Sequence, residues 1–116
     1  PNLRINADPE RLFQVLSNLI GNAIKFTPQQ GSVGISAMSV GNEIVFSVRD
    51  TGEGIAPEQL PHVFDRYWTT KEGNPNGTGL GLYISKGIVQ AHGGKLHAES
   101  QPGRGSEFRF TVPKID

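Results

Sequence analysis

One long amphipathic run, from Asp8 to Phe26, has a helix signal at each end. Asp8-Pro9-Glu10 supplies an N-cap, a proline at the first helical position and an acid in the first turn. Thr27-Pro28 ends the run, because the residue before a proline avoids helical geometry. Between these signals the apolar residues recur at helical spacing, at Leu12, Val15, Leu16, Leu19, Ile20, Ala23 and Phe26. The run therefore predicts a helix whose apolar face must be covered by another layer.

Five shorter runs alternate between apolar and polar residues and predict strands. They span residues 3–7, 32–40, 43–49, 95–100 and 106–112. Gly41-Asn42 predicts a hairpin turn between the second and third of them. A helical turn near residues 57–62 and a second helix, from about Gly79 to a glycine cap at His92-Gly93-Gly94, lie between the third and fourth. This order predicts an α/β two-layer sandwich, in which helices cover one face of a mixed, largely antiparallel sheet.

Composition and charge exclude several classes of function. The 116 residues are enough for one domain, which we take to span residues 1–116. Eleven basic residues balance eleven acidic ones, which argues against nucleic acid or an anionic membrane as the main partner. The absence of cysteine excludes disulfides and thiolate metal sites and fits a reducing cytosol. No apolar run approaches the roughly 20 residues that span a bilayer. We expect a cytoplasmic domain, whose parent protein can still be membrane-anchored.

A polar stripe lies on the first predicted helix, offset from its apolar face. Gln14, Asn18, Asn22 and Lys25 follow one another at spacings of a helical turn. An asparagine carbonyl oxygen is a hard ligand suited to Mg²⁺, and a lysine one turn further on can contact a phosphate. The alternative is an ordinary solvent-exposed face, and the stripe alone does not decide between the two.

Asp50 ends an alternating strand on the same face as its apolar residues. Ile44, Phe46 and Val48 occupy the even positions before it. A carboxylate on a buried face must be paired or satisfied by a ligand, and an adenine amine, which only donates, would suit it. Gly52 and Gly54 leave space beside this carboxylate. The alternative is a surface Asp-Thr-Gly turn, in which the carboxylate accepts local backbone hydrogen bonds.

A glycine-rich segment, Gly77-Thr78-Gly79-Leu80-Gly81-Leu82, leads into the second helix. Backbone N–H groups at a helix N-terminus favour phosphate. The segment lacks the GxxxxGK[ST] pattern of a Walker A loop, and it neither follows a strand nor has GxGxxG spacing. It predicts a phosphate-binding turn of another kind.

Taken in order, four segments resemble the motifs of the catalytic, ATP-binding domain of sensor histidine kinases. Residues 18–28 (NLIGNAIKFTP) resemble the N box, residues 50–55 (DTGEGI) the G1 box, residues 63–68 (VFDRYW) the F box and residues 77–82 (GTGLGL) the G2 box. This family belongs to the Bergerat-fold, or GHKL, superfamily that includes gyrase-type topoisomerases. The resemblance covers nearly the whole chain, so it implies the Bergerat fold and a site for ATP and Mg²⁺.

The resemblance also implies a role for each motif residue. Asn22 would coordinate Mg²⁺ with Asn18 assisting, Lys25 would contact phosphate, and Asp50 would accept the adenine amine. The remaining nucleotide-binding residues would be Gly52, Gly54, Ile55, Phe64, Thr78, Gly79, Leu80, Gly81 and Leu82. Residues 65–78 would form the ATP lid, with Arg66 reaching the γ-phosphate. Tyr67 and Trp68 would cover the nucleotide, dock on the partner domain or simply pack.

One position in the N box helps to choose the reaction. Hydrolysing members of the superfamily carry a general-base glutamate one turn before the Mg²⁺ asparagine, whereas this chain has Asn18 there. The resemblance therefore implies transfer of the γ-phosphoryl group to a histidine on a separate dimerisation and phosphoacceptor domain, with a response regulator receiver domain downstream. We expect structural or surface roles for His62, His92 and His97, because none lies in a long helix beside an acidic residue.

Three alternatives stay open at this point. The chain could be a nucleotide-binding regulatory pseudokinase module, a serine/threonine kinase of the same superfamily, or an ATP hydrolase. The intact Asn22, Asp50 and G2 glycines argue against the pseudokinase. The KFTP ending of the N box and the FDRYW of the F box fit a histidine kinase better than a serine/threonine kinase, and Asn18 argues against the hydrolase. Family members usually carry a further strand upstream, so we expect the domain to be truncated there. Because the dimerisation helices are absent, we expect a monomer in isolation, with no direct membrane contact.

Overall fold

The computed structural model describes residues 7–68 and 80–114. Their helices are α1 (Pro9–Phe26), a short 3-10 helix (Leu60–His62) and α2 (Gly81–Ala91), and their strands are β1 (Val33–Val40), β2 (Glu43–Asp50), β3 (Leu96–Gln101) and β4 (Gly105–Pro113). The four strands agree with their predicted bounds to within one residue at each end. The helical turn predicted near residues 57–62 is shorter in the structure, where it is the 3-10 helix Leu60–His62. The strand predicted at residues 3–7 lies almost wholly outside the described residues.

The four described strands form one sheet in the order β1-β2-β4-β3, and each neighbouring pair is antiparallel. β4 lies between β2 and β3, so Asp50 of β2 faces Ser106 of β4, and Ser106 faces Ser100 of β3. The helices α1 and α2 pack against this sheet. The predicted α/β two-layer sandwich is confirmed.

α1 begins and ends where its sequence signals predict. Asp8 Oδ1 accepts hydrogen bonds from the backbone N–H groups of Glu10 (3.0 Å) and Arg11 (3.4 Å), which satisfies two amides of the first turn. At the other end the Thr27 hydroxyl donates to the Ala23 carbonyl at 2.6 Å. The predicted apolar face is the buried one, with Val15, Leu19 and Ala23 in the core and Leu12, Leu16 and Ile20 packed beside them.

The core lies between the helices and one face of the sheet, the face that carries the even-numbered residues of β2 and β4. Phe110 is fully buried and stacks on Phe46 with ring centroids 4.8 Å apart. Val48 and Phe108 are buried on the same face. This alternation brings Asp50, at the end of β2, to the rim of the core.

α2 begins at Gly81, two residues after its predicted start, and ends at the predicted glycine cap. Gly93 has φ +80, and its N–H donates to Gln90 O at 3.0 Å. His92 ties this end to the start of α1: the Asp8 backbone N–H donates to His92 Nε2 at 3.0 Å, and His92 Nδ1 lies 2.8 Å from Ile88 O. Since Nε2 accepts, Nδ1 carries the proton and donates. The structural role expected for His92 is confirmed.

None of the helices in residues 7–68 and 80–114 has the length and apolar character needed to cross a membrane.

Candidate nucleotide-binding site

Asn18 joins α1 to the start of α2. Its side-chain amide Nδ2 donates hydrogen bonds to Gly81 O at 3.2 Å and to Ser85 Oγ at 3.1 Å. Ser85 is fully buried, so this pair of bonds lies in the interior contact between the two helices. Because the nitrogen is used for helix packing, the Asn18 oxygen is the atom left to accept a hydrogen bond or to approach a metal ion.

The rest of the polar stripe divides into two parts. Gln14 accepts a hydrogen bond from Arg11 Nη1 at 3.1 Å and so forms a local contact on α1. Asn22 is half-buried and its side chain has no hydrogen-bond partner in the described part of the chain. Lys25 is exposed in the last turn of α1. The stripe is thus neither a wholly solvated face nor a single cluster. Asn22 and Lys25 are the members whose polar groups can still contact a ligand.

Asp50 is 3% exposed, as its position on the apolar face predicted. Its Oδ1 accepts hydrogen bonds from Gly52 N at 2.9 Å and from Ser106 N at 3.3 Å. Its Oδ2 accepts a hydrogen bond from none of the described residues. The local Asp-Thr-Gly turn and the buried carboxylate therefore occur together. Backbone amides hold Oδ1, and Oδ2 has no hydrogen bond from the described residues.

Gly54 and Gly105 allow two backbone segments to approach each other beside Asp50. Gly54 has φ +80, and a Cβ on it would stand 2.3 Å from Gln101 O. Gly105 has φ +89, and a Cβ there would stand 2.0 Å from Asp50 O. The space at Gly54, which the motif assigns to the nucleotide base, is thus filled in part by the β3–β4 turn. Contact between Gly54 and a base stays a prediction.

Apolar residues of the G1, F and G2 boxes form a wall around this end of the core. Ile55 is 8% exposed and Leu82 is 5% exposed. Phe64 is half-buried and packs edge-on against Phe108, with ring centroids 6.0 Å apart. Lys86 Nζ lies 5.7 Å from the centroid of the Phe64 ring. Phe64 thereby fixes the start of the predicted lid on the sheet and on α2.

The described part of the lid, residues 65–68, is attached to its surroundings through side chains. Arg66 Nη2 donates to the Tyr83 hydroxyl at 3.4 Å, and its guanidinium lies 5.3 Å from the Tyr83 ring centroid. This hydrogen bond raises the pKa of Arg66 above its ordinary value. Trp68 Nε1 donates to Gln59 Oε1 at 3.0 Å, while Tyr67 is exposed and has φ +65. Arg66 thus rests on α2, and its predicted reach to a γ-phosphate would require it to leave Tyr83.

The G2 box is described only from Leu80 onwards. Thr78 and Gly79 lie outside the described residues, and their contacts with phosphate stay predictions. Leu80 is the N-cap of α2, and Gly81 and Leu82 form its first turn. Amides of a first helical turn have no acceptor within the helix, and they attract anions.

Two serines that sequence analysis missed lie beside Asp50. A cavity of about 510 Å³ opens at the ends of the strands, and Asp50, Leu60, Ser100 and Ser106 are among its lining residues. Arg49, Glu99 and Glu107 line it as well, and among the described residues Asp50 is its one lining residue from the four motifs, so the cavity adjoins Asp50 but does not outline the candidate site. Ser100 and Ser106 end the buried-face alternation of β3 and β4 just as Asp50 ends that of β2, and this pattern could have identified them.

The other two histidines lie at the surface. His62 Nδ1 is 3.0 Å from Asp65 Oδ2 in an exposed turn. His97 is exposed on β3. Their exposure is consistent with the structural or surface roles expected for them.

Comparison with known proteins identifies relatives among sensor kinases. A family model described as "Histidine kinase-, DNA gyrase B-, and HSP90-like ATPase" matches residues 7–116. The sensor histidine kinase ZraS of Salmonella typhimurium is 43% identical over 113 residues, which cover 97% of this chain and 24% of that protein. The sensor protein SrrB of Staphylococcus aureus is 40% identical over 110 residues, 92% of this chain and 19% of that protein. The chain thus spans a quarter or less of the length of these relatives.

Solved structures give the same result. The mycobacterial sensor histidine kinase MprB superposes with a TM-score of 0.87 at 28% identity, over 97% of this chain and 78% of that one. Full-length ShkA in complex with AMPPNP superposes with a TM-score of 0.86 at 39% identity, over 99% of this chain and 24% of that one. By family model, sequence and fold, this chain belongs to the family of histidine kinase-, DNA gyrase B- and HSP90-like ATPases, within its sensor histidine kinase group.

Proposed function

We propose that this domain binds Mg-ATP and donates the γ-phosphoryl group to a histidine of a separate dimerisation and phosphoacceptor domain, in two-component signalling. The observation that carries the proposal is the state of Asp50. A buried carboxylate that has one oxygen held by two backbone amides, and the other with no hydrogen bond from the described residues, is a preoriented acceptor. The exocyclic amine of adenine, which only donates, is the complementary group.

The residues for the phosphates and the metal ion lie on the two helices. Asn22 offers an amide oxygen, Asn18 offers the oxygen that helix packing leaves free, and Lys25 offers a positive charge. The first-turn amides of α2 would contact phosphate oxygens. Mg²⁺ would supply charge neutralisation on the phosphates. The AMPPNP bound to ShkA supports an ATP-type ligand for the fold.

The surroundings of Asn18 support transfer rather than hydrolysis. Its amide cannot take a proton from water, and its Nδ2 donates to a carbonyl oxygen, Gly81 O. A negatively charged oxygen in the place of Nδ2 would face that carbonyl and be repelled. With no base for water at this position, the γ-phosphoryl group is left for another nucleophile. An imidazole nitrogen of the acceptor histidine would form the bond to phosphorus as the bond to the β–γ bridging oxygen breaks, and ADP would leave with that electron pair.

The partners follow from this step. The phosphoryl group would pass from the acceptor histidine to the receiver domain of a response regulator. Balanced charge fits a domain that contacts neither nucleic acid nor a membrane directly. We place this domain in the cytoplasm, as part of a parent protein that can be membrane-anchored, and expect it to be a monomer in isolation.

The test is phosphoryl transfer to the acceptor domain of the parent protein, supplied in trans with γ-labelled ATP. We expect Mg²⁺-dependent label on the acceptor that is lost in acid, as a phosphoramidate is, and that is absent when Asp50→Asn is used. Binding without transfer would instead indicate a regulatory pseudokinase. Acid-stable label would indicate a serine/threonine kinase, and phosphate release without acceptor would indicate a hydrolase.

A further inference from the structure

The G1 loop, residues 50–55, is held from one side by the end of β3 and the β3–β4 turn. Ile55 N donates to Ser100 Oγ at 2.7 Å, and Gly103 N donates to Glu53 O at 2.7 Å. Gly54 lies against the backbone of Gln101. Of these contacts, the bond to Ser100 is the one made by a side chain, so it is the one that a substitution can remove without changing the backbone.

The Ser100 hydroxyl connects three segments of the site. It accepts from Ile55 N, lies 3.0 Å from Gly105 O, to which it donates, and lies 3.0 Å from Ser106 Oγ. A hydroxyl has one proton and two lone pairs, so these three bonds use its full capacity. The Ser106 backbone N–H in turn donates to Asp50 Oδ1. Ser100 is therefore linked through Ser106 to the carboxylate and through Ile55 to the far end of the loop.

We propose that Ser100 is a positioning residue for adenine recognition: it holds the G1 loop so that Asp50 presents its second oxygen to the base. This inference rests on the proposed nucleotide function. Ile55 is 8% exposed, so without Ser100 Oγ its N–H would be left in a largely buried place with no partner, and the loop would shift to recover one. The same loop carries Gly52 N, which holds Oδ1 of Asp50. A shift therefore changes the direction of the carboxylate.

Loss of the Ser100 hydroxyl should cause a selective defect in nucleotide binding. ADP carries the exocyclic amine from which Asp50 would accept a hydrogen bond. Inosine diphosphate has a carbonyl oxygen in the place of that amine and has the same sugar and phosphates. In Ser100→Ala the affinity for ADP should fall by about tenfold, as expected for one lost hydrogen bond, and the affinity for inosine diphosphate should fall much less. The ratio of the two dissociation constants, which general destabilisation does not move, is the readout.

Two variants act as controls. Ser100→Thr keeps the hydroxyl and should restore the ratio. Ser47→Ala removes a different serine hydroxyl of the sheet, a buried one that donates to Glu107 Oε2 at 2.5 Å on the face away from the helices, and should leave the ratio unchanged. If Ser100→Ala does not fold, Ser100→Cys keeps the size and weakens the hydrogen bond. Calorimetric titration with ADP and with inosine diphosphate gives the constants for each variant.

A second readout needs no nucleotide. The Ile55 amide should exchange its hydrogen with solvent faster in Ser100→Ala than in the unaltered chain, with core amides of β2 unchanged. An unchanged ADP preference in Ser100→Ala, or an equal change in Ser47→Ala, would overturn the role of Ser100 alone. If the unaltered chain bound neither nucleotide, the proposed function would fall, and the role of Ser100 with it.

Discussion

The side-chain amide of Asn18 on α1 and the hydroxyl of Ser85 on α2 are hydrogen-bonded at 3.1 Å. Ser85 is fully buried, so the bond belongs to the interior contact between the two helices. The first asparagine of the N box thus has a packing role beside its predicted role at the metal ion. A substitution of Asn18 would change stability and ligand binding together, which makes Ser85 the better position for measuring the contact.

Ser85→Ala should lower the free energy of unfolding by about 1 kcal/mol, because Asn18 Nδ2 loses one of its two acceptors and keeps Gly81 O. Urea unfolding of both proteins measures the change. Ser17→Ala is the matched control, since Ser17 is exposed on α1, and its effect should stay within about 0.5 kcal/mol. Equal effects of the two substitutions would show that the Asn18–Ser85 bond contributes no stability.

Gly105→Ala should destabilise the domain through a backbone clash as well as through strain. Gly103 is the matched control: it has φ +80 and open space where an alanine methyl group would lie, whereas a Cβ on Gly105 would stand 2.0 Å from Asp50 O. Gly103→Ala should lower the free energy of unfolding by about 1 kcal/mol, because alanine is strained in the left-handed backbone conformation. Gly105→Ala should lower it by about 1–3 kcal/mol more, because of the clash. Thermal unfolding of both variants measures the difference, and similar losses would mean that β4 can move away from Asp50.

Acid should remove a stabilising contribution of Glu107. The hydrogen bond from Ser47, followed by the contacts with Arg49, lowers the pKa of Glu107 below its ordinary value of 4.5. A carboxylate with a lowered folded pKa stabilises the fold above its unfolded pKa, and this stabilisation is lost as pH falls through the folded pKa. Urea unfolding at neutral pH and at steps below 4.5 should show that loss, and Ser47→Ala should reduce it.

Glu58→Gln is the control for this pH dependence. Glu58 is exposed and has no salt-bridge partner among residues 7–68 and 80–114. Glu58→Gln should lose as much of its free energy of unfolding on acidification as the unaltered chain does. If Ser47→Ala had no more effect than Glu58→Gln, the Ser47–Glu107 bond would not contribute to stability.

Local patterns in the sequence predicted the helices, the strands and the face of the sheet on which Asp50 lies. The N-cap at Asp8 and the glycine cap at Gly93 act within a few residues, so both ends could be found without tertiary information. Alternation along β2 likewise placed Asp50 with the core residues. The position of β4 between β2 and β3 could not be found in this way, because alternation shows which residues share a face but not which strands are neighbours.

The details of the site depend on contacts between distant segments. The bond from Asn18 to Ser85 and the approach of Gly54 to Gln101 each join parts of the chain far apart in sequence. The motif assigned Gly54 to the nucleotide and Arg66 to a phosphate. The structure places the first against the β3–β4 turn and the second on Tyr83. Such contacts follow from packing, which motif order and spacing do not specify.

The role proposed for Asp50 is to bind the base in an ATP site. Calorimetric titration with a non-hydrolysable ATP analogue, with and without Mg²⁺, tests this role on the unaltered chain, Asp50→Asn and the control Glu58→Gln. We expect binding that changes with Mg²⁺, an affinity at least about tenfold weaker in Asp50→Asn, and no change in Glu58→Gln. Binding of equal strength in Asp50→Asn, or no binding by the unaltered chain, would contradict it.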